Sequence, residues 1–333
     1  VRQLTIDNEQ LTIKEEILHK VQNPIKLIAV VGATASGKTA LSIELAKRLD
    51  GEIISCDSMQ IYRHMDIGTA KPAMEERQGI PHHMIDILEP HESFSVSDFV
   101  ERARDCITDI TNRGKLPILV GGTGLYIDSV INGVDFAPSE VDIKYRESLH
   151  KKAAGNYGNL HLHNMLAERD PVSAEKIHPN NVRRVIRALE ILHSTGKTKS
   201  EQDKLAKPEK SPYKSMIFGI DMPRDELYER INKRVDIMVE AGLVDEVKGL
   251  LNMGISLDTT AMQAIGYKEL ASYINGDCAL EFAVEKIKQE SRRYAKRQIT
   301  WFSKNSKINW IMLQECYNNV NFIVEFIKNI LHN

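Results

Sequence analysis

The run Gly32-Ala33-Thr34-Ala35-Ser36-Gly37-Lys38-Thr39 constrains this chain most, because it stands between an apolar stretch, Leu27 to Val31, and an amphipathic one, Ala40 to Leu49. Strand, glycine-rich loop and helix in that order make an anion site. The two glycines let the backbone turn tightly, so successive N–H groups and the positive end of the helix dipole converge on phosphate oxygens. Lys38 adds a mobile charge, and the Thr39 hydroxyl is placed to hold Mg2+ against those oxygens.

An ATP-driven motor carries a second apolar strand ending in an acid. The obvious candidate, Leu116 to Val120, runs instead into Gly121-Gly122-Thr123-Gly124 with no carboxylate. The acid stands earlier: Gly51 to Cys56 reads as a strand, and Asp57-Ser58-Met59-Gln60 follows at its expected carboxyl end. Strand carboxyl ends line the ligand crevice of an open parallel sheet, which would put Asp57 opposite whatever the loop holds. An acid at a strand end also serves as a turn former or helix cap, and both readings stand at this point.

Further along, short strands at His82 to Ile87, Leu116 to Val120, Ser215 to Ile220 and Ile308 to Leu313 alternate with amphipathic helices. The helices are expected over Ser97 to Arg113, Thr123 to Ile131, Arg224 to Ala241, Val244 to Leu251, Ala264 to Ile274, Leu280 to Ser303 and Asn319 to Leu331. Between Pro138 and Pro212 no strand pattern occurs and the stretch is polar and helix-forming. The expected fold is therefore α/β: a doubly wound parallel sheet of P-loop NTPase-like type with a helical insertion domain. The core would comprise residues 26–139 and 211–333, the insertion 140–210, and residues 1–25 a polar, partly helical N-terminal extension.

At 333 residues and 42% hydrophobic content the chain can bury a full core. Cys56, Cys106, Cys278 and Cys316 are scattered without metal-ligand spacing and read as reduced thiols. No run has the length or apolarity of a signal peptide or membrane span, so a cytoplasmic protein with no membrane partner is expected. His82 and His83, like His161 and His163, lack the companions of a metal site and read as structural. Trp301 and Phe302 read as core anchors.

The net charge of −2 conceals two basic stretches. One carries Arg183, Arg184, Arg187, Lys197 and Lys199 against Glu190; the other carries Lys286, Lys288, Arg292, Arg293, Lys296, Arg297, Lys304 and Lys307 against Glu290. Such stretches grip a nucleic acid backbone or are solvated helix faces, and their composition is compatible with either.

Six blocks in order, GATASGKT, DSMQIYRHMDIGTAKP (Asp57 to Pro72), GGTGLY (Gly121 to Tyr126), HPNNVRRVIRALE (His178 to Glu190), AIGYKE (Ala264 to Glu269) and RRYAKRQITWF (Arg292 to Phe302), closely resemble the bacterial tRNA dimethylallyltransferases. The resemblance runs from about Lys26 to Leu313. It implies transfer of a dimethylallyl group from dimethylallyl diphosphate to N6 of the adenosine at tRNA position 37, 3′ of the anticodon, in tRNAs reading codons that begin with U. Mg2+ on Thr39 and Lys38 would stabilise the departing diphosphate, and Asp57 would take the amino proton. Arg234, or Arg230 one turn earlier, is implied as a second cation on the diphosphate. The anticodon stem-loop, with its base flipped into the crevice, would be met by Asp57, Ser58, Met59, Gln60, Thr123, Arg146, Arg183, Arg184, Val185, Ile186 and Arg187. A second set comprises Gln263, Ala264, Ile265, Gly266, Tyr267, Lys268, Arg292, Arg293 and Arg297, on to Gln298. A monomer is expected. The alternatives are an isoprenyl transferase acting on free adenine nucleotides and a small-molecule kinase with the same loop.

Overall fold

The computed structural model describes residues 25–136, 142–206, 208–313 and 319–332. The expected N-terminal extension, the insertion boundary at 139–140 and Cys316 lie outside these residues. Two compact units result: one ends at Ile131 and resumes at Ser211, and the other spans Asn132–Lys210.

In the larger unit, strands β1 (Ile25–Gly32), β2 (Gly51–Ser55), β3 (His82–His83), β4 (Leu116–Gly121), β5 (Tyr213–Asp221) and β6 (Ile308–Met312) form a single sheet. Its order is β3-β2-β4-β1-β5-β6, and every pairing is parallel. β1 is central, with Val30 opposite Val120 on one side and Phe218 on the other. Helices cover both faces of a parallel sheet, which is why β1 buries six consecutive residues from Leu27 to Gly32 instead of alternating. The strand expected over His82 to Ile87 stops at His83, because Met84 and Asp86 adopt left-handed φ of 64° and 56° and turn the chain out of the sheet.

Helix α1 (Lys38–Leu49) leaves the glycine-rich loop and buries Leu41, Ile43, Leu45 and Ala46. After the short α2 (Met74–Arg77), helix α3 (Val96–Asn112) opens on a capping box, in which Ser95 Oγ accepts from Asp98 N–H and Asp98 accepts from Ser95 N–H at 2.8 Å. α4 (Gly124–Ile131) follows β4 directly.

The smaller unit is helical: α5 (Ile143–Ala153), α6 (Gly158–Arg169), α7 (Pro171–Lys176), α8 (Val182–Thr195) and α9 (Lys199–Leu205). Leu149, Leu162, Leu166, Val185, Ile186 and Leu189 make its core. Its helix starts are fixed locally, Asp142 capping Tyr145 N–H at 3.0 Å and Asp170 capping Ser173 N–H at 3.1 Å.

The chain completes the larger unit with α10 (Arg224–Glu240), α11 (Leu243–Asn252), α12 (Tyr267–Ile274), α13 (Leu280–Phe302) and α14 (Val320–His332). A second apolar cluster gathers Tyr62, Met65, Val235, Leu243, Val247, Tyr267, Leu270 and Ile287, from α10 to α13 and from the segment after β2.

Candidate active site

The glycine-rich loop leaves the carboxyl end of β1, beside those of β2 and β4, where the ligand crevice of such a sheet lies. Ala35 at φ 62° and Gly37 at φ 89° give the loop its reversal. Lys38 Nζ folds back to donate to Ala33 O at 2.5 Å. Ser36 Oγ is 2% exposed and has no hydrogen-bond partner among the described residues. A buried orphan hydroxyl and a half-buried ammonium at the start of a helix are groups arranged for an anion.

Asp57 follows β2 and forms a turn, its Oδ1 accepting from Met59 N–H at 2.8 Å and Gln60 N–H at 3.3 Å. The turn-former reading and the crevice reading both hold, since these bonds use one carboxylate oxygen and not the other. Burial pushes the Asp57 carboxyl above the ordinary carboxylate range, while the two N–H donors and the charges of Lys38 and Arg234 pull the other way. Burial pushes Lys38 down to about 7, with Arg234 adding repulsion and Asp57 opposing. Burial also lowers Arg234, against the attraction of Glu76 and Asp57. Two cations crowded into one desolvated pocket are charges awaiting a polyanion.

Arg234 and Arg230 separate cleanly. Arg234 Nη1 reaches Thr34 Oγ1 at 3.4 Å, whereas Arg230 pairs with Glu226 at 2.6 Å on its own helix.

Two cavities meet here. One, of 430 Å³, is lined by loop residues 34–39 together with Ser42, Ser55, Gln60, Glu76, His82 and Gly122. The other, of 330 Å³, has a mainly apolar wall of Ile231, Val235, Met238, Leu243, Ile265 and Ile287. Thr34, Asp57, Thr69, Ala70, Arg234 and Tyr294 line both. Burial and the Asp57 charge push the Tyr294 phenol up to about 12.

Among the described residues no group of three His, Cys, Asp or Glu side chains could hold a metal. The Thr39 hydroxyl, in the first turn of α1 and on the wall of the larger cavity, suits Mg2+, which takes few protein ligands and completes its shell with phosphate oxygens and water. His82, His83 and His163 are each hydrogen-bonded within the protein, and His161 is exposed. His83 Nε2 lies 2.7 Å from Glu52 Oε2, His82 Nδ1 lies 2.8 Å from Ile80 O, and His163 Nε2 lies 2.9 Å from Ile177 O.

Of the residues expected to meet RNA, Ser58, Met59, Gln263, Ala264, Ile265, Gly266, Lys268 and Arg297 line the apolar-walled cavity. Thr123 stands at the end of β4, its N–H bonded to Cys56 O at 3.3 Å. Arg183, Arg184 and Arg187 lie on the exposed face of α8. Glu190, 7% exposed, accepts from Arg146 and, at 3.5 Å, from Arg187. Arg292 donates to Asn232 on α10, and Arg293 pairs with Glu290 at 2.6 Å.

Five of the residues expected to meet RNA are turned inward or already engaged within the protein. Val185 at 0% and Ile186 at 3% exposure seat α8 in the helical core, so their side chains are not RNA contacts. Tyr267, at 0%, is packed inside and donates to Glu246 at 2.6 Å. Gln60 spends its carboxamide on Ser55 and on the Thr69 and Ala70 carbonyls. Gln298, 5% exposed, faces the loop and not solvent. Trp301 also differs from a core anchor: it is 40% exposed, lies against Gly124 and donates to Asp128 at 2.7 Å, while Phe302 is buried at 2%.

The sequence reading missed Glu246 and Tyr294. Tyr294 had a signal: Ser291, Tyr294 and Gln298 recur at i, i+3 and i+7 on one face of α13.

A family model described as IPP transferase matches residues 60–305, and one described as isopentenyl transferase matches residues 25–92. A tRNA dimethylallyltransferase of Halalkalibacterium halodurans is 51% identical over 306 residues, covering 92% of this chain and 94% of that one. One from Bacillus cereus is 55% identical over 286 residues, covering 86% and 89%. Among solved structures, the tRNA delta(2)-isopentenylpyrophosphate transferase of Staphylococcus epidermidis shares 46% identity at a TM-score of 0.67, over 92% of this chain and 99% of that one. A eukaryotic dimethylallyltransferase solved acting on tRNA shares 32% identity at a TM-score of 0.71, over 86% of this chain and 74% of that one.

Proposed function

The chain belongs to the tRNA dimethylallyltransferase family, and from that membership we propose that it transfers a dimethylallyl group from dimethylallyl diphosphate to N6 of adenosine 37, 3′ of the anticodon, releasing diphosphate. The acceptors are tRNAs reading codons that begin with U. One observation carries the reading: a polar cavity at the phosphate loop and an apolar-walled cavity share Asp57, Thr34 and Arg234 at their common edge. A diphosphate on one side and an adenine on the other would meet at a carboxylate.

In the reaction the allylic C–O bond breaks as the C–N bond forms, the C–O electron pair leaves with the diphosphate, and an N6 proton passes to Asp57. An exocyclic amine is a poor nucleophile, and a positioned base is worth about 10² to 10⁴ in rate. Its raised affinity for protons makes Asp57 a better acceptor than an exposed carboxylate. Lys38, Arg234 and the loop amides take up the charge growing on the leaving group. Mg2+ held through Thr39 supplies further positive charge to the diphosphate when bound. Neither a kinase nor a free-nucleotide transferase is favoured by the relatives.

On the RNA side, we assign phosphate contact to Arg183, Arg184 and Arg187 of the 132–210 unit and to Arg292, Arg293 and Arg297 of α13, with Gln263, Lys268 and Thr123 nearer the flipped base. We propose a monomer as the active species. No described helix is long and apolar enough to cross a membrane. We propose, from the tRNA substrate, that the reaction takes place in the cytoplasm.

The test is incubation with radiolabelled dimethylallyl diphosphate and undermodified tRNA. Label should enter the tRNA at adenosine 37 with wild-type protein. Asp57→Ala should fall below about 1% of that rate with tRNA affinity within a few fold. Label entering free adenine nucleotides instead, or full turnover by Asp57→Ala, would sink the assignment.

A further inference from the structure

Gln298 sits on the same helix as Arg292, Arg293 and Arg297 but points the other way, and both ends of its carboxamide are engaged. Its Oε1 accepts the Thr34 N–H of the phosphate loop at 2.8 Å, and its Nε2 donates to Gly122 O, just past the end of β4, at 3.0 Å. We propose that Gln298 is a positioning residue for the diphosphate: its carboxamide sets the phosphate loop's shape by holding Thr34 N–H out of the anion-binding set. This deepens the diphosphate reading above and rests on it.

The pairing suits a carboxamide. Thr34 N–H needs an acceptor and Gly122 C=O needs a donor, and the carboxamide of Gln298 supplies both from the end of one side chain. A glutamate would accept from Thr34 but repel the Gly122 carbonyl, besides setting a negative charge beside the diphosphate. Gln298 is 5% exposed; its bond to Gly122 O is buried and its bond to Thr34 N–H part-buried.

Thr34 is held twice. Its main chain goes to Gln298 on α13 and its hydroxyl to Arg234 on α10. These two helices are themselves tied by Arg292 to Asn232 and by Lys288 to Asp236 at 2.7 Å. Immediately after Thr34, Ala35 takes a left-handed φ of 62°, a conformation unfavourable for a residue with a Cβ. A strained turn persists where its surroundings over-determine it, and Gln298 is the clamp on its leading residue. With Thr34 N–H withdrawn, the diphosphate is left to the amides that follow it in the loop.

Two variants test this independently. Gln298→Met keeps the length of the side chain and removes both hydrogen bonds. Gly122→Ala leaves residue 298 untouched, but a Cβ there would lie 1.9 Å from Gln298 Nε2 and displace the carboxamide. Each full-length protein is titrated with inorganic diphosphate in the presence of Mg2+, and separately with a tRNA anticodon stem-loop. Steady-state rates with dimethylallyl diphosphate complete the set. Both variants should bind diphosphate about tenfold more weakly and raise the KM for dimethylallyl diphosphate more than they lower kcat. Stem-loop affinity should stay within twofold, because the arginine face of α13 is undisturbed. If Gln298→Met does not fold, Gly122→Ala carries the same expectation. Unchanged diphosphate affinity in either folded variant overturns the proposal, as does an equal loss of stem-loop affinity, which would mark a collapse of the helix. Absence of diphosphate binding by the wild type would overturn the diphosphate reading itself, and the proposal with it.

Discussion

Lys38 shows how a single residue can register its ligand. Buried with Arg234 for a neighbour, it holds its proton only up to about pH 7 while the loop is empty. A diphosphate in the loop would favour the charged form and raise that value. Above pH 7 Lys38 is mostly neutral before diphosphate binds and must take up a proton on binding, while below it the ammonium is already present. Titrations with inorganic diphosphate at pH 8, in buffers of different ionisation enthalpy, should therefore show net proton uptake that shrinks toward pH 6. The uptake should be missing in Lys38→Met, which corrects for protons exchanged by diphosphate itself. Equal uptake in the variant would remove Lys38 from the binding event.

At the scale of elements, the wall of the apolar-walled cavity is held by a carboxylate from a neighbouring helix. Glu246 of α11 accepts from Asp66 and Ile67 N–H at 2.8 Å each, from Gly68 N–H at 3.0 Å and from the Tyr267 hydroxyl at 2.6 Å. Three successive backbone donors on one carboxylate fix the turn leading into Gly68, Thr69 and Ala70, which line the cavity. Lys71 closes the turn from behind, donating to Asp66 at 2.5 Å, to Asp86 and, at 2.9 Å, to Tyr62 O. Gly68 is required there because a Cβ would lie 2.6 Å from the Tyr267 ring. Glu246→Ala leaves these donors unpaired and should cost about 2 kcal/mol of stability, with faster hydrogen exchange at Asp66 to Gly68. A variant with unchanged denaturation midpoint and unchanged exchange at those amides would show that the turn stands without this anchor.

For the whole molecule, the near-neutral total of −2 is a poor guide to what the surface does. Arg183, Arg184 and Arg187 share the exposed face of α8, while Arg293 and Arg297 are exposed on α13. Each phosphate contact releases condensed counterions, so removing one arginine should flatten the dependence of log affinity on log salt by about 0.9 per lost duplex contact. Cognate and noncognate tRNA should weaken alike, because phosphate carries no sequence information. Binding of stem-loops over a series of salt concentrations checks this. If Arg183→Ala and Arg293→Ala together leave both affinity and slope unchanged, these are solvated helix faces and nothing more.

What the sequence determined by itself was whatever depends on near neighbours along the chain. The glycine-rich loop was legible because a strand, two glycines at fixed spacing and a helix are a local arrangement. The order of strands and helices was legible because apolar periodicity reports which residues share a face. That same periodicity does not say what a face will meet. The resemblance assigned whole blocks to RNA, Val185 and Ile186 with the arginines of α8 and Gln298 with those of α13, whereas packing turned the first pair into a core and the last toward Thr34. Arg230 and Arg234 lie one turn apart with near-equal claims in sequence, Arg234 first, and in the folded chain Arg234 reaches Thr34 whereas Arg230 pairs with Glu226. Glu246 had no local signal, since its partners Asp66 to Gly68 are about 180 residues away along the chain. Burial and charge are properties of the folded neighbourhood: they raise Asp57 and lower Lys38 only when strands distant in sequence bring both to one crevice.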